Sequence, residues 1–151
     1  MKSKWVLGFA FSANCSHVVL IHKNKPDFQK GLLNGVGGKI EKDEDAYAAM
    51  EREFREEACV SIPFDKWNLF GRLTILNQGY VECFSVCTDG IFYCQSGTKE
   101  EILIANVKSL ELRSNTLANL KWMIPFAKLI ETNEEKRLVK NKRHFDIIYP
   151  Q

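Results

Sequence analysis

Gly38-Lys39-Ile40-Glu41-Lys42-Asp43-Glu44-Asp45-Ala46-Tyr47-Ala48-Ala49-Met50-Glu51-Arg52-Glu53-Phe54-Arg55-Glu56-Glu57-Ala58-Cys59-Val60 is the stretch on which the fold turns. Asp43 or Glu44 opens a helix that runs to about Ala58, and its Ala, Met, Glu, Arg and Phe content suits that assignment. At about 100° per residue, Glu53, Glu56 and Glu57 fall within roughly one third of the circumference. Ala46 and Ala49 lie on that face one to two turns earlier, where small side chains leave room. Tyr47, Met50, Phe54 and Ala58 form a neighbouring stripe suited to packing on a sheet. The helix thus divides into an anchoring stripe and an acidic stripe.

Like charges on one helix face cost a few tenths of a kcal/mol per i,i+4 pair. A divalent cation reverses that cost, because Mg²⁺ and Mn²⁺ prefer anionic oxygen ligands. For three glutamates alone, a solvated face relieved by Arg52 and Arg55 is the plainer reading. The fixed offsets of Gly38, Glu44, Arg52, Glu53, Glu56 and Glu57 decide against it. At average residue frequencies they coincide on the order of once in 10⁵ chains of this length.

Outward from that helix, Lys4 to Ser12 and His17 to Lys23 are apolar, β-rich runs joined by a turn at Ala13-Asn14-Cys15-Ser16. Asn24 to Leu33 is a polar loop. Gly35-Val36-Gly37-Gly38 is too rich in glycine for a stable strand centre, so the backbone bends or lies close to something. Trp67 to Leu76 and Tyr80 to Thr88 form a hairpin about Asn77-Gln78-Gly79. Ile102 to Val107 is another strand, and His144 to Tyr149 a short terminal one. Leu117 to Ile130 is a second helix, in which Pro125 implies a kink or a later start. These elements predict one α+β domain spanning residues 1–151, with a mixed β-sheet and two helices.

Composition agrees with an ordinary folded domain: 151 residues, 45% hydrophobic, 26% charged, net charge +2. The interspersed charges suggest no long nucleic-acid partner, and the basic cluster Lys136 to Arg143 reads as a solvated connection. No run approaches the ~18 apolar residues of a membrane span, and the N-terminus does not read as a signal peptide. Five cysteines without a CxxC pair, and only His17, His22 and His144 beside them, give no zinc spacing. Small buried thiols and a cytoplasmic location are the expectation. Monomer and homodimer are both left open.

Gly38-x5-Glu44-x7-Arg52-Glu53-Phe54-x-Glu56-Glu57-x-Cys59-Val60 resembles the Nudix box, G-x5-E-x7-R-E-U-x-E-E-x-G-U with U a bulky apolar residue. The one departure is Cys59, where the family has a glycine suited to a left-handed helix cap. The resemblance implies a Nudix-type mixed β-sheet sandwiched between helices. It also implies hydrolysis, by water with Mg²⁺ or alternatively Mn²⁺, of a nucleoside diphosphate linked to another group. The implied metal ligands are Glu53, Glu56, Glu57 and the carbonyl of Gly38. A carboxylate from a later loop completes such sites. Of Glu100 and Glu101 the favoured one is Glu101, with an exposed turn as the plain alternative. Glu53 or Glu101 is the candidate general base. Glu44 and Arg52 resemble the internal ion pair of the family, a support for the loop. Lys23 and Lys39 are candidate phosphate contacts, although such lysines are commonly just solvated.

Asn34-Gly35-Val36-Gly37-Gly38-Lys39 is similar to the N-G-F-G-G-K segment of the MutT-related hydrolases of oxidised purine nucleotides. That likeness implies a purine-reading amide at Asn34, with Phe28 lining the base pocket; a turn residue is the alternative for Asn34. Asn119 resembles a second base-reading position, against a plain helix N-cap. Trp122 either stacks on a base or belongs to the core. The aspartate pair of the human-type enzymes is not reproduced here. The expected reaction converts a purine nucleoside triphosphate, with oxidised dGTP favoured, to monophosphate and pyrophosphate. Rival readings are a Nudix hydrolase of ADP-ribose, dinucleotides, nucleotide sugars or RNA caps, a nucleotide-binding module without activity, and an unrelated interaction domain.

Overall fold

Alternation along the first strand sets the layers, because successive side chains point to opposite faces. In the computed structural model, which describes residues 2–132 and 146–149, that strand is β1, Ser3–Phe11. Val6 and Ala10 join a cluster with Ala49, Met50, Phe54 and Ala58 of helix α1, Ala46–Ala58. Leu7, Phe9 and Phe11 join a second cluster with Leu120, Met123, Ile124, Ala127 and Ile130 of helix α2, Leu120–Thr132. The sheet is therefore apolar on both faces, with one helix on each. Each fully buried Phe or Leu contributes about 1.5–3 kcal/mol.

The remaining strands are β2 His17–His22, β3 Leu33–Asn34, β4 Val36–Lys39, β5 Asn68–Ile75, β6 Gly79–Cys87, β7 Ile102–Asn106 and β8 Asp146–Tyr149. The sheet order is β3-β2-β1-β6-β5-β8, with β4 also on β1 and β7 also on β2. β6 runs parallel to β1 from Ser3↔Gly79 to Phe11↔Cys87, and β8 runs parallel to β5. The other pairings are antiparallel. The expected hairpin turn is present: Asn77 (φ 63°) and Gly79 (φ 141°) take the positive φ values that such turns require. Of the expected features of the tail, the cluster Lys136 to Arg143 and His144 lie outside the described residues. No helix among the described residues is long and apolar enough to cross a membrane.

Three expectations need correction. In the Gly35–Gly38 stretch only Gly35 breaks the strands: β3 before it pairs with β2, whereas Val36–Lys39 pairs with β1 in the register Trp5↔Lys39 to Gly8↔Val36 and so does form a strand. Gly37 and Gly38 lie close to a neighbour, as expected, but within a strand. The second helix starts at Leu120, after the expected Leu117. The chain before it is held by strand β3 instead: Leu33 N–H donates to Asn115 O at 2.7 Å, and Leu117 N–H to Leu33 O at 3.0 Å. Pro125 stays inside the helix. Of the thiols, Cys15 and Cys83 are buried, Cys87 and Cys94 are half-buried, and Cys59 is exposed.

Cys59 is exposed because it caps α1 from the surface. Asp45 caps the other end, its Oδ1 accepting from Ala48 N–H at 2.8 Å. At the C-terminus Cys59 takes φ 58°, ψ 20°, with its N–H on Arg55 O at 3.0 Å. That left-handed conformation crowds a Cβ, and glycine adopts it without strain. Replacing Cys59 by Gly relieves the crowding but adds freedom to the unfolded chain. The expected net is a gain of about 0.5–1 kcal/mol. Urea unfolding of Cys59→Gly against the parent checks it; a clear loss of stability contradicts the cap.

Candidate active site

The acidic stripe of α1 faces strand β4. Glu53 is buried and lies against Gly38, where an added Cβ would come within 2.3–2.4 Å of the Glu53 carboxylate. Any larger residue at 38 would push that carboxylate away, which gives the glycine at this offset a direct physical reason. Glu57 is half-buried and Glu56 exposed. Ala46 and Ala49 do not leave the expected space beside them. Ala49 is fully buried in the core and Ala46 packs against the same cluster. The acidic stripe is correspondingly narrower, confined to the last two turns.

Arg52 ties this stripe to the loop that precedes the helix. Its Nε donates to Glu44 Oε1 at 2.7 Å and its Nη2 to Glu44 Oε2 at 3.0 Å, a two-point ion pair. Nη2 also donates to Lys39 O at 2.9 Å. Nη1 reaches Glu53 Oε1 at 2.7 Å and Glu56 Oε2 at 3.3 Å. The guanidinium beside Glu44 holds that carboxyl below the usual range. Glu53 and Glu57 go the other way. Burial raises both, opposed by Arg52 at Glu53 and by Thr98 at Glu57, and neighbouring carboxylates raise them further. Glu56 and Glu57 act on Glu53, while Glu100 and Glu56 act on Glu57. The four carboxylates thus share one local field.

The later loop supplies Glu100 and not Glu101. Glu101 is exposed, and its backbone carbonyl is taken by His22 N–H at 2.9 Å. Glu100 is buried and accepts from Asn24 N–H at 2.6 Å and from Lys23 Nζ at 3.3 Å. Adjacent residues entering strand β7 point to opposite sides, and the sequence has no signal for which one turns inward. Lys23 is brought to the site through this pair. Lys39 is exposed, and its carbonyl accepts from Arg52.

The expected base-reading residues separate into two groups. Asn34 and Asn119 meet: Asn119 Nδ2 donates to Asn34 Oδ1 at 3.3 Å, and also contacts Met123 Sδ at 3.1 Å. Asn34 Oδ1 also accepts from Gly35 N–H at 2.9 Å. Phe28 does not join them. It lies in a single 3₁₀ turn, Asp27–Gln29, and is 76% exposed. Trp122 packs against the α2-side core. A cavity of about 600 Å³ lies elsewhere, lined by Val60, Ile62, Asn68, Val86 and Glu131 among others, and holds none of the expected site residues.

Among the described residues no three His, Cys, Asp or Glu side chains converge tightly enough to hold one ion. The donor set nevertheless fits a hard divalent cation. It is all oxygen, and Glu53 and Glu57 are pushed towards protonation by burial first and by neighbouring carboxylates besides, an excess charge that a cation would neutralise. Exposed Glu56 and half-buried Glu57 have room to turn, whereas Glu53 is fixed by Gly38 and Arg52.

The family model for the NUDIX domain matches residues 6–145. The chain belongs to the Nudix family. Solved structures agree at the level of fold. An Aliivibrio salmonicida and Vibrio cholerae study of MutT provides one, 19% identical, with TM-score 0.64, covering 87% of this chain and 97% of that one. A MutT/nudix family protein from Enterococcus faecalis is 16% identical, with TM-score 0.60, covering 70% of this chain. A Francisella tularensis bifunctional NMN adenylyltransferase/ADP ribose pyrophosphatase, complexed with AMP and a Mn ion, is 12% identical, with TM-score 0.67 over 87% of this chain. This Nudix chain spans 44% of the Enterococcus protein and 42% of the Francisella protein. No curated protein matches it in sequence.

Raised carboxyls set the sign of a pH effect. A carboxyl whose folded value exceeds its unfolded one costs stability as pH rises from the ordinary 4.5 through the folded value. Glu57→Gln should therefore stabilise the metal-free protein at neutral pH, with no advantage at pH well below 4.5. The same substitution should remove the Mg²⁺-induced rise in Tm. Thermal melts at several pH values, with and without Mg²⁺, check both parts.

Proposed function

We propose that this Nudix chain is a metal-dependent hydrolase of a nucleoside diphosphate linked to another group, and that a purine nucleoside triphosphate is its substrate. The observation that carries the reaction class is the buried Glu53 carboxylate against Gly38, in one field with Glu56, Glu57 and Glu100. Products would be the monophosphate and pyrophosphate, with oxidised dGTP the favoured substrate.

In this reading Glu53, Glu56, Glu57 and the Gly38 carbonyl hold Mg²⁺, or alternatively Mn²⁺. Such an ion, when bound, would supply charge neutralisation for the phosphate chain and make water more acidic. Glu53 is gripped by Arg52 and so serves best as a fixed ligand. Glu100, held by Asn24 N–H and Lys23, replaces Glu101 as the loop carboxylate and is the better placed acceptor for the proton of the attacking water. Lys23, already at the carboxylate cluster, is the cation available to a phosphate oxygen; Lys39 is the more peripheral candidate. Arg52 and Glu44 hold the loop and contact no substrate.

The Asn34–Asn119 contact supports recognition of a base edge, and the likeness of Asn34–Lys39 to the MutT-related segment favours a purine. With Asn34 Oδ1 used by Gly35 N–H and Asn119 Nδ2, Asn34 offers its amide N–H groups and Asn119 its Oδ1. A donor beside an acceptor matches a base edge that presents an acceptor beside a donor, as guanine and adenine do and the pyrimidines also do. Phe28 would have to move from its exposed turn to cover the base. Hydrolysis of ADP-ribose or a related diphosphate is the second reading, favoured by the ADP ribose pyrophosphatase named among the structures of similar fold.

A panel of oxidised and normal dGTP, dATP, dCTP, ADP-ribose and a dinucleoside polyphosphate, each with Mg²⁺ and Mn²⁺, tests this. Purine triphosphates should be cleaved at least about 10-fold faster than dCTP. Asn34→Ala and Asn119→Ala should each erode that ratio without altering metal dependence. Glu57→Gln should lower turnover by about 10²-fold or more. Faster hydrolysis of ADP-ribose than of every triphosphate overturns the substrate; nucleotide binding without hydrolysis overturns the enzyme.

A further inference from the structure

The segment from Gln95 to Glu100 is docked on the end of the carboxylate helix. Gln95 N–H donates to Ala58 O at 3.0 Å, and Gly97 N–H to Glu57 O at 2.9 Å. Two of the carbonyls that a helix leaves unpaired at its C-terminus are met in this way. Gly97 comes so close that an added Cβ would lie 2.1 Å from Glu56 O and 3.0 Å from Cys59 Sγ. Ser96 Oγ accepts from Ile102 N–H at 2.9 Å, which closes the segment onto the start of β7.

At its centre Thr98 makes two hydrogen bonds that reach both halves of the site. Its hydroxyl donates to Glu57 Oε2 at 2.8 Å and accepts from Glu100 N–H at 3.1 Å. A hydroxyl has one proton and two lone pairs. With Glu100 N–H on a lone pair, the proton is directed at Glu57. The Glu100 carboxylate is held from its far side by Asn24 N–H and Lys23. Asn24 Nδ2 is anchored in turn on Lys99 O at 3.1 Å. One hydroxyl therefore joins a carboxylate of the helix to the backbone of the loop carboxylate, although Thr98 and Glu57 are 41 residues apart.

We propose that Thr98 is a positioning residue: it fixes the Glu57 carboxylate by one oxygen and sets its place relative to Glu100. Glu57 Oε1 is then left to turn towards a cation, while repulsion from Glu100 is resisted by a bond that spans the two. This rests on the hydrolase reading above. A generic docking role for the segment is carried by the backbone contacts of Gln95 and Gly97, which a side-chain change at 98 leaves in place.

The test compares Thr98→Val, which keeps the shape and deletes the hydroxyl, with Thr98→Ser, which keeps the hydroxyl. Mn²⁺ binding to the nucleotide-free protein is measured by calorimetry, beside kcat, KM and Tm. Thr98→Val should weaken Mn²⁺ binding and lower kcat by about 10-fold each, with KM nearly unchanged. Thr98→Ser should restore both. Should Thr98→Val fold poorly, Thr98→Ala serves as the second variant without the hydroxyl. Wild-type Mn²⁺ affinity in a folded hydroxyl-free variant overturns the proposal, as does a Thr98→Ser protein no better than Thr98→Val. If the parent cleaves no nucleotide yet its Mn²⁺ affinity follows the hydroxyl, the hydrolase reading fails and the role of Thr98 stands.

Discussion

The guanidinium of Arg52 is the interaction on which the rest of the site depends. Three carboxylates, from Glu44, Glu53 and Glu56, and the carbonyl of Lys39 all converge on it. A loop, a helix and a strand end are thereby held to one planar group. Arginine suits the place because its fork of donors serves several acceptors in fixed directions and its charge is permanent. With most of that group shielded from water, removing it would strand partly buried negative charge, the costly way to break such an ion pair.

Past Arg52, the helix holds more negative charge than its surroundings compensate. Glu44 is stabilised by its partner, whereas Glu53 and Glu57 remain pushed up by burial and by neighbouring carboxylates. Support and working surface are separated within one motif in this way. The loop before the helix gains from the pairing of Glu44 with Arg52, and the last turns carry repulsion that a divalent ion would relieve. Such local conflict is expected where a structure is shaped for binding as well as for stability.

Much of the fold was legible because its signals are periodic. The hairpins, the acidic helix and the strand before residue 107 follow from repeats of two or about 3.6 residues and from turn residues. The errors fall where a single neighbour decides. Ala49 looked like open space on a helical wheel, but a wheel does not show where the sheet lies. The glycine-rich stretch read as a bend or a close approach, and the adjacent strand makes it a close approach within a strand from Val36. Glu101 and Glu100 are equivalent by composition, and one residue of register separates a solvent-facing carboxylate from a site-facing one. Phe28 and Asn34 are matched by spacing alike, but only Asn34 is held by contacts that a short turn lacks.

From its own order of residues, the chain determined that Glu53, Glu56 and Glu57 share a face, that Arg52 lies next to Glu53 and one turn before Glu56, and that β1 has two apolar sides. Those are consequences of helix and strand geometry over a few residues. Tertiary structure decided that Glu100 joins them, that Thr98 meets Glu57 across 41 positions and that Asn119 meets Asn34 across 85. Each depends on how a loop or a helix end docks. Docking direction is set by packing and by unpaired backbone groups of distant elements, which no local pattern encodes.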